Sequence, residues 1–414
     1  MAGRYWVETL GCPKNQVDSD KLVGTLVADG MTAAASPEDA DLVLVNTCAF
    51  IDAARQESID TVLELADARR PGARLVVTGC LAERYGAELA AELPEVDQVA
   101  GFGVPVTLTA KPPATAPAMD LLNLPRPPTT ASWAYVKVAE GCDRTCGFCA
   151  IPSFRGRQRS RTQESILDEV DRLVDGGVAE IVLVAQDLAS YGRDVDARGA
   201  IVPLVEEVTR RAARTRLLYL YPSDLHDGLI DAICASGVPY FDLSLQHASK
   251  PLLRRMRRWG DGARFLARIE AIRDREPGAA FRSSFIVGYP GETETDHDQL
   301  LAFVEEAQLD WAGFFAFSPE DGTVAATLDG QVDPALVADR LAELGESQDR
   351  ITASRRAGLV GAAIDVLVDE PGVGRSHREA PEIDGVIHVP ASLSPRTFAT
   401  LAVTAAAGPD LEAA

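Results

Sequence analysis

At 414 residues, 46% hydrophobic and 25% charged, the chain has the composition of a globular protein and is too long for one ordinary core, so two or three domains are expected. No apolar run is long enough to cross a bilayer, which excludes a transmembrane helix. Sixty-two acidic against 40 basic residues leave a formal charge of −22, which repels polyphosphate, disfavours nucleic acid as the main ligand and suits a basic partner.

The chain starts MAGRYWVETLG, strand-like from Arg4 and without a basic stretch followed by an apolar core. No secretory signal is therefore expected, and a cytoplasmic address follows. In the first hundred residues, strand-like runs at Arg4–Leu10, Asp41–Asn46 and Arg74–Thr78 alternate with helical ones at Asp18–Asp29 and Ala49–Ala68. This alternation predicts an open α/β domain with parallel strands over residues 1–103. Residues 104–130, with KPPATAPAM and LPRPPTT, are rich in Pro, Thr and Ala without periodicity and read as a linker. Strands then recur at Trp133–Ala139, Glu180–Ala185, Arg216–Tyr221, Tyr240–Leu245, Phe281–Gly288 and Trp311–Phe317, separated by amphipathic helical stretches. Six βα units predict a parallel barrel, or part of one, over residues 131–355. A helix at Pro334–Arg356 leads into a β-rich tail, residues 356–414, carrying AAIDVLVDE, DGVIHVP and RTFATLAVTAAAG. The expected form of that tail is a small all-β barrel of five short strands.

Seven cysteines, an odd number, in a chain with no export signal point to metal or catalytic roles rather than disulfides. Cys142-Asp-Arg-Thr-Cys146-Gly-Phe-Cys149 lies just past the first strand of the central domain. Three thiolates so close in sequence can reach one metal centre. A cubane cluster normally takes four cysteines, so a set of three leaves one iron open to a small molecule. A structural zinc loop is the competing reading, but it wants a fourth protein ligand and no nearby His or Cys supplies one. The spacing resembles the radical S-adenosylmethionine superfamily, in which the open iron chelates the amino and carboxylate groups of S-adenosylmethionine.

A parallel barrel places its active site at the strand C-termini. Ala185-Gln186-Asp187, Leu245-Gln246-His247 and Ile286-Val287-Gly288-Tyr289-Pro290-Gly291-Glu292 stand at the ends of the second, fourth and fifth strands. The resemblance implies that such positions line the methionine, ribose and adenine parts of the cofactor, with Phe148, Gln186, Asp187, Gln246 and Gly288 as its neighbours. Taken singly, Gly288 and Gly291 also suit ordinary turns, and Gln246 or His247 a satisfied polar group in a core.

Cys12, Cys48 and Cys80 each lie at or just past the C-terminal end of an N-terminal strand, where open α/β sheets gather ligand-binding side chains. On spacing alone, three ligands of one centre and three small buried hydrophobes are equally good readings. Cys234, alone in DGLIDAICASG, fits only the second.

Thr9-Leu10-Gly11-Cys12-Pro13-Lys14-Asn15, Asn46-Thr47-Cys48-Ala49-Phe50-Ile51 and Val77-Thr78-Gly79-Cys80-Leu81-Ala82-Glu83-Arg84 resemble the N-terminal signature of the methylthiotransferase family. The resemblance extends over nearly the whole chain. It implies a second [4Fe-4S] cluster on Cys12, Cys48 and Cys80, beside the one on Cys142, Cys146 and Cys149, and a C-terminal TRAM domain that binds substrate. LGCPKN, the AQDLASYG segment at 185–192 and Ala380-Pro381-Glu382-Ile383-Asp384-Gly385 resemble the RimO branch, which modifies an aspartate of the small-subunit ribosomal protein at the decoding centre. The MiaB branch, which modifies a tRNA adenosine, is the alternative. Charge agrees independently with the former: from Gly358 to Ala414 there are three arginines, no lysine and eight Asp or Glu, wrong for gripping phosphates and right for a basic ribosomal protein. LSLQH stands where IPLQH is usual, and RSSFIVG where RTTFIVG is; neither departure touches an expected cluster ligand.

The chemistry implied is the breaking of an unactivated C–H bond by a 5′-deoxyadenosyl radical made from S-adenosylmethionine, with a second cofactor molecule methylating a sulfur held at the second cluster. A reducing electron donor and a sulfur source are the further partners implied. Glu140 and Asp143 are expected to cap or solvate the cysteine loop, whereas Lys14 and Arg155 either contact substrate or balance charge. A non-catalytic RNA- or ribosome-binding protein with structural metal sites is the reading from another class.

Overall fold

The computed structural model describes residues 3–108 and 119–414, so part of the expected linker at 104–130 lies outside the described residues. The chain begins with β1 (Arg4–Thr9), α1 (Pro13–Ala28), the short β2 (Thr32–Ala33), β3 (Leu42–Thr47), α2 (Asp52–Ala68), β4 (Arg74–Gly79), α3 (Cys80–Glu92) and β5 (Gln98–Val99). All five strands pair in parallel, in the order β2-β1-β3-β4-β5. Val43, Val45, Leu75 and Val77 enter one apolar core, and Leu42, Leu44 and Val76 enter another. Burial on both faces is why β3 and β4 read as continuous apolar runs rather than alternation.

Two helices differ from expectation. α1 starts at Pro13 rather than Asp18, because Pro13 presets the φ of the first turn and Cys12 takes the N-cap position. α3 has no counterpart among the expected helices. Its Ala, Leu and Glu are good helix formers, but the helix is interrupted at Tyr85, whose φ of −125° is non-helical.

The middle of the chain continues through β6 (Trp133–Lys137), β7 (Ala139–Glu140), α4 (Ile151–Arg155), β8 (Arg159–Ser160), α5 (Gln163–Asp175), β9 (Glu180–Val184), α6 (Ile201–Thr209) and β10 (Arg214–Leu217). α7 (Asp227–Cys234), β11 (Tyr240–Gln246), α8 (Lys250–Arg255), α9 (Gly262–Arg275), β12 (Ala280–Val287), α10 (Glu294–Ala307) and β13 (Trp311–Ala316) follow. Two parallel three-stranded sheets, β10-β9-β6 and β11-β12-β13, are joined by a parallel bridge between Leu220 and Leu243. The result is the expected partial barrel of six strands. β10 ends at Leu217 instead of reaching Tyr221, because Tyr219 adopts a left-handed φ of +67°. Ala139 leaves the first strand, and β7 pairs antiparallel with β8 instead.

After α11 (Pro334–Ala357) come β14 (Ala363–Glu370), β15 (Val373–Arg375), β16 (Ile387–His388), β17 (Phe398–Ala407) and β18 (Asp410–Ala413). They form a closed five-stranded barrel, β14-β15-β16-β18-β17, around Val366, Ile387, Val403 and Leu411.

Among the described residues no helix is long and apolar enough to cross a membrane. The chain divides into two compact units. The first spans the chain up to Pro128 together with Ala139–Asp143 and Ala150–Arg161; the second comprises Thr129–Val138, Arg144–Cys149 and everything from Thr162 onward. Within the second unit, the loop between β15 and β16 lies against the N-terminal ends of the parallel strands. Glu180 at the start of β9 accepts from Arg216 (2.6 Å) and from Arg375 (3.0 Å). Tyr135 donates to Pro381 O (3.1 Å), Tyr240 to Asp384 (2.6 Å) and Trp311 Nε1 to Arg378 O (2.7 Å). The tail therefore closes the end of the barrel opposite to the strand C-termini.

Candidate functional site

In the first unit, Cys12, Cys48 and Cys80 follow β1, β3 and β4 respectively. Cys12 caps α1 and Cys80 opens α3, positions where the helix dipole favours an anionic sulfur. The segments that carry them press together so closely that two of the neighbours must be glycine. Gly11 has φ +94°, and a Cβ there would stand 2.9 Å from Cys48 Sγ; Gly79 has φ +93°, and its Cβ would overlap Asn46 Oδ1 and the Thr47 backbone.

A buried polar scaffold locks the three segments in register. Asn15 Nδ2 donates to Leu10 O (2.8 Å) and Thr47 O (3.1 Å), while Asn46 Nδ2 donates to Asn15 O (2.8 Å) and Ser19 Oγ (2.9 Å). Burial alone would raise the Cys12 thiol, but the charges of Lys14 and Arg155 and the N–H groups of Asn15 and Lys14 bring it below its ordinary value. Burial pushes Cys48 up to about 12, with Cys12 and Cys80 adding to the effect. Cys80 is raised by burial too, against the pull of Arg155. The three sulfurs thus share one electrostatic neighbourhood.

All seven cysteines are free thiols. Among the described residues no three Cys, His, Asp or Glu side chains are gathered to hold a single metal ion. A cluster does not require that spacing, since each sulfur binds a different iron. Three soft donors in a positively biased pocket have the chemistry to hold one. Lys14 and Arg155 are both buried, which places them on the charge-balancing side of the alternative left by the sequence.

The second cysteine set starts in the first unit, where the Cys142 N–H donates to Gly156 O (3.1 Å). Glu140 accepts from Arg155 (2.9 Å), and Asp143 accepts from Gln158 N and Arg157 Nε (each 3.2 Å); both carboxylates hold the loop, as expected. In the second unit the Gly147 N–H donates to Met256 O (2.8 Å) and the Cys149 N–H to Cys146 O (3.2 Å). Arg258 Nη1 stands 3.5 Å from Cys146 Sγ. Phe148 is half-buried between these cysteines.

Gln186 and Asp187 follow β9, Gln246 ends β11 and Gly288 follows β12, so all four stand at the C-terminal rim of the parallel strands. Gln246 holds a left-handed φ of +75°, the kind of strain that collects at ligand sites. Asp187 Oδ2 accepts from Arg144 Nε (2.6 Å) and Ser190 Oγ (2.5 Å), while its Oδ1 is buried with no hydrogen-bond partner among the described residues. A buried carboxylate oxygen left over at this rim suits a polar ligand such as S-adenosylmethionine. Gly288 also serves its turn: φ is +80°, and its N–H donates to Glu292 Oε2 (2.6 Å). His247 is not the fully satisfied core group that one reading made it. Its Nδ1 accepts from Ser249 N (3.0 Å), but Nε2 has no partner among the described residues.

Sequence reasoning missed the stack that braces this rim. The guanidinium carbons of Arg144 and Arg258 lie 3.8 and 3.9 Å from the centroid of the Tyr221 ring. Neither arginine was singled out: the place of Arg144 inside the cysteine loop is a signal that could have found it, whereas Arg258 is remote in sequence and carries none. Cys234 ends α7, its thiol raised by burial, Glu276 and Asp231.

Three family models match the chain: the uncharacterized protein family UPF0004 over residues 4–101, the radical SAM superfamily over 136–304 and the TRAM domain over 360–414. The chain is 43% identical to the ribosomal protein uS12 methylthiotransferase RimO of Moorella thermoacetica, over 95% of this chain and 94% of that protein. It is 42% identical to the protein of the same name from Aquifex aeolicus, over 93% and 90%. Among solved structures it resembles the radical S-adenosylmethionine methyltransferase TsrM from Kitasatospora setae, with cobalamin and a [4Fe-4S] cluster bound, at a TM-score of 0.52 and 15% identity over 78% of this chain and 74% of that one. This last likeness bears on the fold alone.

Proposed function

The chain belongs to the RimO family of methylthiotransferases, and on that premise we propose that it adds a methylthio group to the β-carbon of an aspartate in ribosomal protein uS12. The observation that supports this most is the pairing of two cysteine triads at strand C-termini, Cys142, Cys146 and Cys149 with Cys12, Cys48 and Cys80. Each triad would hold a [4Fe-4S] cluster with one iron free of cysteine. When bound, the clusters supply one-electron cleavage of S-adenosylmethionine and a site for the sulfur to be methylated.

The chain's own residues bind and orient. Asp187, with one oxygen anchored by Arg144 and Ser190, presents the other to the polar parts of S-adenosylmethionine. Phe148, Gln186, Gln246 and Gly288 complete that contact set. The tail supplies the preference for a basic protein. Asp365, Glu370, Glu382 and Glu412 are exposed, whereas Arg375 is buried and Arg378 and Arg396 are only partly exposed. Arg378 lies beside Asp310, and Arg396 donates to the carbonyls of Thr130 and Gly176. The exposed acids outnumber any cation free to meet phosphate, so protein is favoured over tRNA.

The test is an anaerobic assay of cluster-reconstituted protein with S-adenosylmethionine and reductant, offered a uS12 loop peptide and a tRNA anticodon stem in parallel and read by mass spectrometry. Methylthio addition to an aspartate of the peptide alone is expected. Modification of the RNA alone would overturn the substrate assignment. Cys146→Ala is expected to abolish release of 5′-deoxyadenosine, and a variant that still released it would exclude Cys146 as a ligand.

A further inference from the structure

Arg155 ends α4, shortly past Cys149, yet its side chain is buried in the first unit among residues from the start of the chain. α4 is part of that unit's core: Ala150 and Phe154 pack with Val45, Val77, Cys80 and Leu81. The Arg155 side chain is 3% exposed, and its guanidinium lies over the Phe102 ring, 4.4 Å from the centroid. Nη1 donates to Asp18 Oδ2 (3.1 Å) and Glu140 Oε1 (2.9 Å). Nη2 donates to Asn15 Oδ1 (2.6 Å) and Cys80 Sγ (3.1 Å).

Two carboxylates would be enough to keep an arginine buried. They do not require that the other end of the fork be aimed at a cysteine sulfur and at the asparagine that ties Cys12's segment to Cys48's. The planar fork reaches both ends at once, which an ammonium cannot do. An N–H donated to a ligand sulfur, with a positive charge behind it, stabilises the more electron-rich state of a cluster and orients its ligand.

We propose that Arg155 is a positioning residue of the cluster on Cys12, Cys48 and Cys80, compensating the thiolate charge and fixing Cys80 through an N–H···S bond. This role rests on the second-cluster reading given above. It follows that the site is complete only when the segment 150–161, which lies in the stretch matching the radical superfamily, is folded into the first unit.

The test uses full-length protein in which Cys142, Cys146 and Cys149 are replaced by alanine, so that only the second cluster can form. After anaerobic reconstitution, iron content, the rate of iron loss to a chelator and the midpoint potential from an EPR-monitored titration are compared for this parent, R155M and R155K. The parent is expected to hold about four irons. Both Arg155 variants should have a lower potential, and R155M should lose iron about tenfold faster or more. If R155M fails to fold, R155K carries the test alone, since it keeps the charge that Asp18 and Glu140 need and removes the fork that serves Cys80. A folded variant with the parent's potential and the parent's rate of iron loss would overturn the role of Arg155 while leaving the second cluster standing. A parent that takes up no iron would instead overturn the second-cluster reading itself.

Discussion

Gly79 precedes Cys80 because the backbone there is left-handed and a side chain would run into Asn46 and the Thr47 backbone. Gly79→Ala should therefore cost about 1–3 kcal/mol and spread the segments that carry Cys48 and Cys80. A urea melt of the apoprotein checks the first effect and iron uptake the second. His247 offers a test by pH. Burial, helped by His297 and Arg340, holds its imidazole at about 3, so it stays neutral in the folded chain. The unfolded chain gains a proton from about pH 6.5 downward. The stability this group contributes is thus complete above that pH and is lost as pH falls toward 3, at up to about 1.4 kcal/mol per pH unit. Melts between pH 7 and 5 should show this slope in the natural protein and a shallower one in His247→Asn; equal slopes would contradict it. At this scale the positions of the six cysteines past strand ends were legible, because the hydrophobic runs that precede them mark the strands. The sulfurs that Arg155 and Arg258 meet were not, because nothing local in the sequence says which distant thiol each side chain reaches.

The six central strands were legible as elements because their buried faces carry runs such as IVLV in β9. Their ends were less so. β10 stops where Tyr219 turns left-handed, and β7 separates from β6 to pair with a strand beyond the cysteine loop; each is set by a partner rather than by propensity. Glu180 shows how one element end can carry a network. It is fully buried, and although burial alone would raise its carboxyl, the charges of Arg216, Arg375 and Arg214 hold it at about 2. Glu180→Ala would take from the buried Arg216 the carboxylate it pairs with, and from Arg375 one of its two, the other being Asp369, and should destabilise the second unit by about 3–5 kcal/mol. A denaturant titration checks it, and a loss within experimental error of zero would mean that other acids take over the pairing.

At the scale of the molecule, the tail barrel belongs to the same compact unit as the parallel strands. The ties are polar and specific: Arg375 to Glu180, Tyr240 to Asp384, and Arg214 to the carbonyls of Arg375 and Asp365. Both parts should therefore melt together. Calorimetry of the natural protein should show no separate low-temperature transition for the tail, whereas Arg375→Met should lower the common transition or split it. An unsplit, unshifted transition in that variant would show the ties to be dispensable. Asp384 explains why the APEIDG string reads as it does, since its carboxylate meets Tyr240 and the Ala380 N–H at the base of the barrel. Its carboxylate thus joins the two parts.

The cysteine spacings, the βα alternation and the charge of the tail could all be read along the chain, because ligand chemistry, hydrophobic period and net charge are local or additive properties. Where Arg155 goes, how the tail seals the base of the barrel and why Gly11 and Gly79 must lack side chains could not. Each depends on which remote segment arrives within a few ångströms, and close packing sets that through the whole fold at once.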